Sequence, residues 1–177
     1  MNTRLCLSFV LITCALVGCS SSGGMAPNDS PWSGVADAED WRSVAAKEIM
    51  AAYVANDAAT IGKWFADDAE IVFNKQVMDK KTFLARIPLD HVHFKDIKLN
   101  EIVTTLRYNK TWPNQQRAVF TNIWARWTAE VRKTGAKIEV PVYMFMTWEG
   151  KKAKSLNHLF DPRPHEDALE SIGVTPY

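Results

Sequence analysis

The chain has 177 residues, with 21 lysines and arginines against 20 aspartates and glutamates. That length allows one domain with a short appendage, and so balanced a charge argues against nucleic acid as a partner, which needs a basic face. The three cysteines, Cys6, Cys14 and Cys19, all lie in the first nineteen residues, which excludes a disulfide framework or a cysteine metal site in the rest of the chain.

Met1–Arg4 is a short positive segment, followed by the apolar run Leu5–Val17. That run is shorter than the about 20 apolar residues a bilayer-spanning helix needs, and it fits the core of a signal peptide. It leads into Leu16-Val17-Gly18-Cys19, which resembles the lipobox of bacterial lipoproteins. The resemblance implies cleavage before Cys19, lipidation of its sulfur and often acylation of the freed amine. Two or more acyl chains anchor firmly where one holds marginally. Ser20 stands where an aspartate would imply retention at the inner membrane, so the expected location is the bacterial cell envelope, at the periplasmic face of the outer membrane. An ordinary secretory signal with an incidental cysteine is the alternative. The Ser-, Gly- and Pro-rich stretch up to Val35 reads as a flexible tether. The expected division is residues 1–18 as signal peptide, 19–35 as tether, 36–162 as the folded domain and 163–177 as a tail.

Asp37 is the expected N-cap of a first helix over Ala38–Asn56, whose Trp41, Val44, Ala45, Ile49, Ala52 and Tyr53 recur at three- and four-residue steps. Asp57 caps a second helix that buries Ile61, Trp64 and Phe65. A short strand follows at Glu70–Phe73. Asp79 caps a third short helix, with Phe83, Leu84 and Ile87 inward, which Pro88 is expected to stop. His93–Tyr108 reads as a strand, with Ile97, Leu99, Val103 and Thr105 on one parity and Ile102, Leu106 and Tyr108 on the other. Asn109–Gln116 reads as a turn.

Ala118–Pro162 then reads as three long antiparallel strands, with turns at Lys133–Lys137 and Glu149–Lys152 that carry Gly135 and Gly150. Pro141 inside the second of these implies an edge or a bulge. The tail holds at most one helical turn. Helices followed by long strands predict an α+β layer architecture.

Three stretches carry a family resemblance: Asn56–Ile61 with Trp64–Ala69, Trp148-Glu149-Gly150-Lys151, and Phe160-Asp161-Pro162. In this order they resemble the nuclear transport factor 2-like, or SnoaL-like, superfamily over Asp37–Pro162. The resemblance implies a strongly curved antiparallel sheet wrapped around three N-terminal helices as a cone with a pocket. It also implies a possible homodimer through the open side of the sheet. The superfamily holds isomerases, dehydratases and cyclases beside non-catalytic binding and assembly domains, so fold alone does not give function.

Ketosteroid isomerase uses an Asp base and an oxyanion hole containing Tyr. The place that resembles its base holds Phe73 and Asn74 here, which counts against that proton shuttle. The tyrosine's place falls at Ile49, with Tyr53 one turn later. The remaining candidate acid/base is His158, with Tyr53 or Tyr143 to hold a carbonyl. Asp161 could orient His158 only if the strand bends. Tyr53, Trp64, Asn74, Trp124, Tyr143 and His158 are the candidate ligand-binding residues. Arg126 and Glu130 read as an exposed pair. His91 and His93, with Asp90 or Asp96, lack a third spaced ligand, so neither a metal nor another cofactor is expected. Three readings follow: binding of a small apolar or aromatic ligand, acid/base lyase or isomerase chemistry by His158 with a tyrosine, and an envelope assembly role with the pocket closed by side chains.

Overall fold

The computed structural model describes residues 34–35, 37–109 and 118–176. The stretch read as a signal peptide, Cys19 and most of the stretch read as a turn at Asn109–Gln116 lie outside the described residues. In chain order the elements are β1 (Gly34–Val35), α1 (Trp41–Val54), α2 (Ala58–Trp64), β2 (Phe65–Phe73), β3 (Gln76–Asp79) and α3 (Lys80–His93). They are followed by β4 (Phe94–Asn109), β5 (Ala118–Val131), β6 (Lys137–Glu149), β7 (Lys152–Phe160) and α4 (Arg163–Glu170). The seven strands form one sheet in the order β1-β4-β5-β6-β7-β2-β3. All neighbours are antiparallel except β2 and β7. The architecture is the α+β layer of a curved, unclosed sheet over helices.

The β5–β6–β7 meander follows its alternation. Thr121, Ile123, Ala125, Trp127 and Ala129 of β5 are buried, as are Val140, Val142, Met144 and Met146 of β6. Gly135 and Gly150 adopt φ of +74° and +55° in the two connections, a conformation that side chains disfavour. Beneath the sheet, α1 presents Ala45, Ala46, Ile49, Met50 and Ala52 to the core. Asp57 and Asp79 cap α2 and α3 through bonds from Thr60 N–H (2.9 Å) and Thr82 N–H (2.7 Å).

Several elements depart from the sequence reading. Asp40, not Asp37, caps α1, accepting from Arg42 N–H, while Asp37 holds the preceding turn through Glu39 and Asp40 N–H. Gly34–Val35, assigned to the tether, pairs with Arg107 and Leu106 of β4. The short strand at Glu70–Phe73 begins instead at Phe65, with an irregularity between Phe65 and Glu70.

Pro88 does not stop α3. The helix runs on to His93, and its final carbonyls are satisfied: Arg132 Nε donates to His91 O and Phe94 O, and Arg132 N–H to His93 O. Anchoring this last turn offsets the bond that proline removes.

In β4 the single parity fails. Register shifts fall between Lys95 and Lys98 and between Asn100 and Val103, where Asp96 and Glu101 take φ of +52° and +54°. Each bulge adds a residue and exchanges the faces. Ile97 is therefore buried with Thr104 and Leu106, while Val103 is exposed. Pro141 follows its edge reading: β7 ends at Phe160, opposite Val142, so β6 has no β7 partner at Pro141. The tail is part of the domain, because α4 has two turns that bury Ala168 and Leu169, and Ile172 and Val174 pack on the core.

Candidate functional site

The cone encloses a cavity of about 510 Å³. Its walls come from α1 (Ile49, Met50), α3 (Phe83, Ile87) and the inward parity of β6 (Met144, Met146). A cavity of this size accommodates a small organic molecule. The cavity is not filled by side chains, contrary to the structure expected of an assembly domain with a closed pocket.

A hydrogen-bonded polar cluster lies in the mainly apolar wall. Tyr53 Oη donates to Asp90 Oδ2 at 2.7 Å, and Trp127 Nε1 donates to Tyr53 Oη at 3.0 Å. His165 Nε2 donates to Asp90 Oδ1 at 3.1 Å, and its ring packs on Phe94 and Trp127. The four residues come from α1, α3, β5 and α4. Phe83, Ile87 and Asp90 stand four and three residues apart, which sets them on one helical face toward the cone.

His158 also lines the cavity, wedged between Phe73 and Phe160 with ring centroids 4.8 and 4.7 Å away. Its Nε2 is buried without a hydrogen-bond partner. Burial pushes its pKa from 6.5 down to about 4, with the Asp90 charge opposing. The imidazole is thus neutral near pH 7, and desolvation disfavours the imidazolium an acid/base cycle would need. Asp161 does not orient it. That carboxylate is held by Arg163 through bonds of 2.6 to 3.2 Å.

Of the candidate ligand-binding residues, Tyr53, Asn74 and His158 line the cavity together. Asn74 Oδ1 accepts from Phe160 N–H at 3.0 Å, tying the β2–β3 turn to β7. Trp64, Trp124 and Tyr143 do not line it. Trp64 packs on the core from the end of α2. Trp124 and Tyr143 fall on the outward parity of β5 and β6, where their rings lie 5.2 Å apart, and Tyr143 Oη donates to Asn122 Oδ1. Tyr143 therefore cannot partner His158 inside the cone.

Arg126 pairs with Glu101 (3.1 Å) and Glu139 on neighbouring strands instead of Glu130, which takes Lys95 at 2.7 Å. His91 and His93 sit in the last turn of α3, and His91 Nε2 donates to Tyr53 O at 2.8 Å. Among the described residues no three His, Cys, Asp or Glu gather to hold a metal.

Sequence reasoning missed Asp90 as a cavity residue, as well as His165. Asp90 continues the Phe83–Ile87 stripe and becomes legible once α3 is carried past Pro88. His165 lies in the stretch set aside as a tail.

No family model matches the chain, and no curated protein matches its sequence. Solved structures do match its fold. A Catenulispora acidiphila protein of ketosteroid isomerase-like fold, crystallised with trimethylamine, aligns with TM-score 0.53 and 13% identity over 73% of this chain and 92% of its own. AclR from Streptomyces galilaeus aligns with TM-score 0.55 and 16% identity, covering 77% and 98%. A Shewanella denitrificans protein assigned as a SnoaL-like polyketide cyclase gives TM-score 0.51 and 15% identity, covering 75% and 98%. At such identities the likeness is one of fold, and the domain has the α+β cone fold of the SnoaL-like and nuclear transport factor 2-like proteins.

Proposed function

We propose that this chain is a lipid-anchored envelope protein whose cone binds one small apolar or aromatic molecule. The observation that carries the reading is the open cavity of about 510 Å³, whose walls are mainly apolar. Transfer of an apolar ligand into such a space is favourable in proportion to the area removed from water. The trimethylamine complex of the Catenulispora acidiphila protein gives a similar fold holding a small molecule. Anchoring rests on the lipobox-like Leu16–Cys19, with the outer membrane favoured by Ser20. Among the described residues no helix is long and apolar enough to cross a membrane. Native mass spectrometry of the protein purified gently from its host tests the binding reading. One co-purifying molecule per protomer is expected.

A homodimer through the outward face of β4–β6 belongs to the same reading. Trp124 and Val103 are 45% and 53% exposed there, an apolar surface that pairing would remove from water.

The second reading is an isomerase or lyase. It is favoured by the Tyr53–Asp90–His165 chain of hydrogen bonds at the cavity wall. In it Asp90 exchanges the proton, Tyr53 and His165 hold its carboxylate in place, and neutral His158 shapes the wall. Asp90→Asn abolishes turnover of a substrate in this reading, and leaves ligand retention intact in the first.

A further inference from the structure

Resting on the binding reading above, the identity of the ligand's polar end follows from the charges around the cavity. The two-residue turn Asn74–Lys75 joins β2 to β3 at the cavity edge, with Asn74 in the left-handed region at φ +52°. Lys75 from this turn and Arg86 from α3 both line the cavity. Gln76 Oε1 accepts from Arg86 Nη1 at 3.0 Å, which fixes the guanidinium beside the turn, and its other donors have no partner among the described residues.

The nearby carboxylates are engaged elsewhere. Asp79 caps α3 through Thr82 N–H, and Asp67 pairs with Lys80 at 2.9 Å. Among the described residues, no carboxylate lies within ion-pair distance of Lys75 or Arg86. Among the described residues, two cations therefore edge the cavity with no carboxylate in ion-pair contact with either. The cavity's own carboxylates are Asp90, whose two oxygens accept from Tyr53 and His165, and Glu166 of α4. Asp90 stands one helical turn beyond Arg86 on α3 with both oxygens engaged, which leaves Arg86 and Lys75 at the β2–β3 turn to meet an anion. Neutral His158 adds no charge.

We propose that the cone takes a single-chain aliphatic carboxylate, its head on Arg86 and Lys75 and its chain along Phe83, Ile87, Met144 and Leu156. A guanidinium offers two parallel N–H donors matched to a carboxylate, and the lysine adds a point charge. The aliphatic chain fills the apolar wall.

The test is isothermal titration of the full chain, held in a neutral detergent and blanked against detergent alone, with decanoate, decanol and decylammonium. The proposal expects decanoate to bind about tenfold tighter than decanol, the scale of one charge-assisted contact. The double variant Lys75→Gln/Arg86→Gln removes that advantage while leaving decanol affinity unchanged, which also confirms that the variant is folded. Equal affinities for decanoate and decanol, or an unaltered advantage in the double variant, overturn the head assignment and leave the binding cavity standing. Tightest binding of decylammonium overturns it in favour of a cationic head near Asp90 and Glu166. Failure of all three probes to bind overturns both the assignment and the cavity reading beneath it.

Discussion

Tyr53 on α1 and Asp90 on α3 meet at the cavity wall, Oη to Oδ2, at 2.7 Å. The contact joins two helices through the one charged group that Trp127 and His165 also hold, the first through Tyr53 and the second directly. Tyr53→Phe deletes the donor to Asp90 and the acceptor of Trp127 Nε1–H. A hydrogen bond to a charged group contributes about 1.5–3 kcal/mol. The expected loss in urea unfolding lies in that range, with the m-value unchanged.

His158 makes the domain acid-sensitive. Its pKa falls from 6.5 to about 4 on folding, so between those values the unfolded chain binds the extra proton. Stability therefore rises with pH across that window and is lost on acidification, by up to roughly 3 kcal/mol from this group alone. Comparison of wild type with His158→Leu by urea unfolding at pH 7.5 and pH 4 isolates it, because the depressed carboxylates titrate alike in both. The variant is expected to lose less stability on acidification. Parallel losses would refute the assignment.

The reach of sequence reasoning follows from which signals are local. The β5–β6–β7 meander was legible because its turns carry Gly135 and Gly150 and its runs are β-branched and aromatic. The α1 stripe was legible at Ala45, Ile49 and Ala52, since its period lies within one segment, but Val44, placed on the same stripe, is exposed. The faces of β4 were not, because bulges at Asp96 and Glu101 move parity without a glycine to mark them. Pro88 misled because the compensation comes from Arg132, on a different element. At the candidate site, Tyr53 and His158 were read as pocket residues. Asp90 and His165 were not, since their pairing spans 75 positions and depends on α4 folding back.

That fold-back makes the chain end a structural element. Leu169 of α4 has no exposed surface. Leu169→Ala is expected to destabilise the domain by about 2–5 kcal/mol, the range for a buried leucine. Calorimetry checks it; a change under about 0.5 kcal/mol, the scale of ordinary surface substitutions, would mean α4 contributes nothing.

On the outer face, Trp124 stacks beside Tyr143 with nearly half its surface exposed. If this face pairs two copies, Trp124→Asp converts a dimer to a monomer in light scattering behind size exclusion, with the thermal midpoint at low concentration little changed. A monomeric wild type at tens of micromolar would remove the dimer from the account.

Cys19→Ser tests the anchor. The wild type is expected in the membrane fraction, and the variant is expected to lose the acyl mass by mass spectrometry. An unmodified Cys19 in the wild type would contradict lipidation.

The most direct measurement of the central claim is native mass spectrometry of wild type and Met144→Trp, both purified from the host. Met144 faces the cavity, and the larger ring occupies the space a ligand would take. The account predicts one small molecule on each wild-type protomer and none on the variant. A wild type that carries no adduct, or a variant that keeps it, would contradict binding inside the cone.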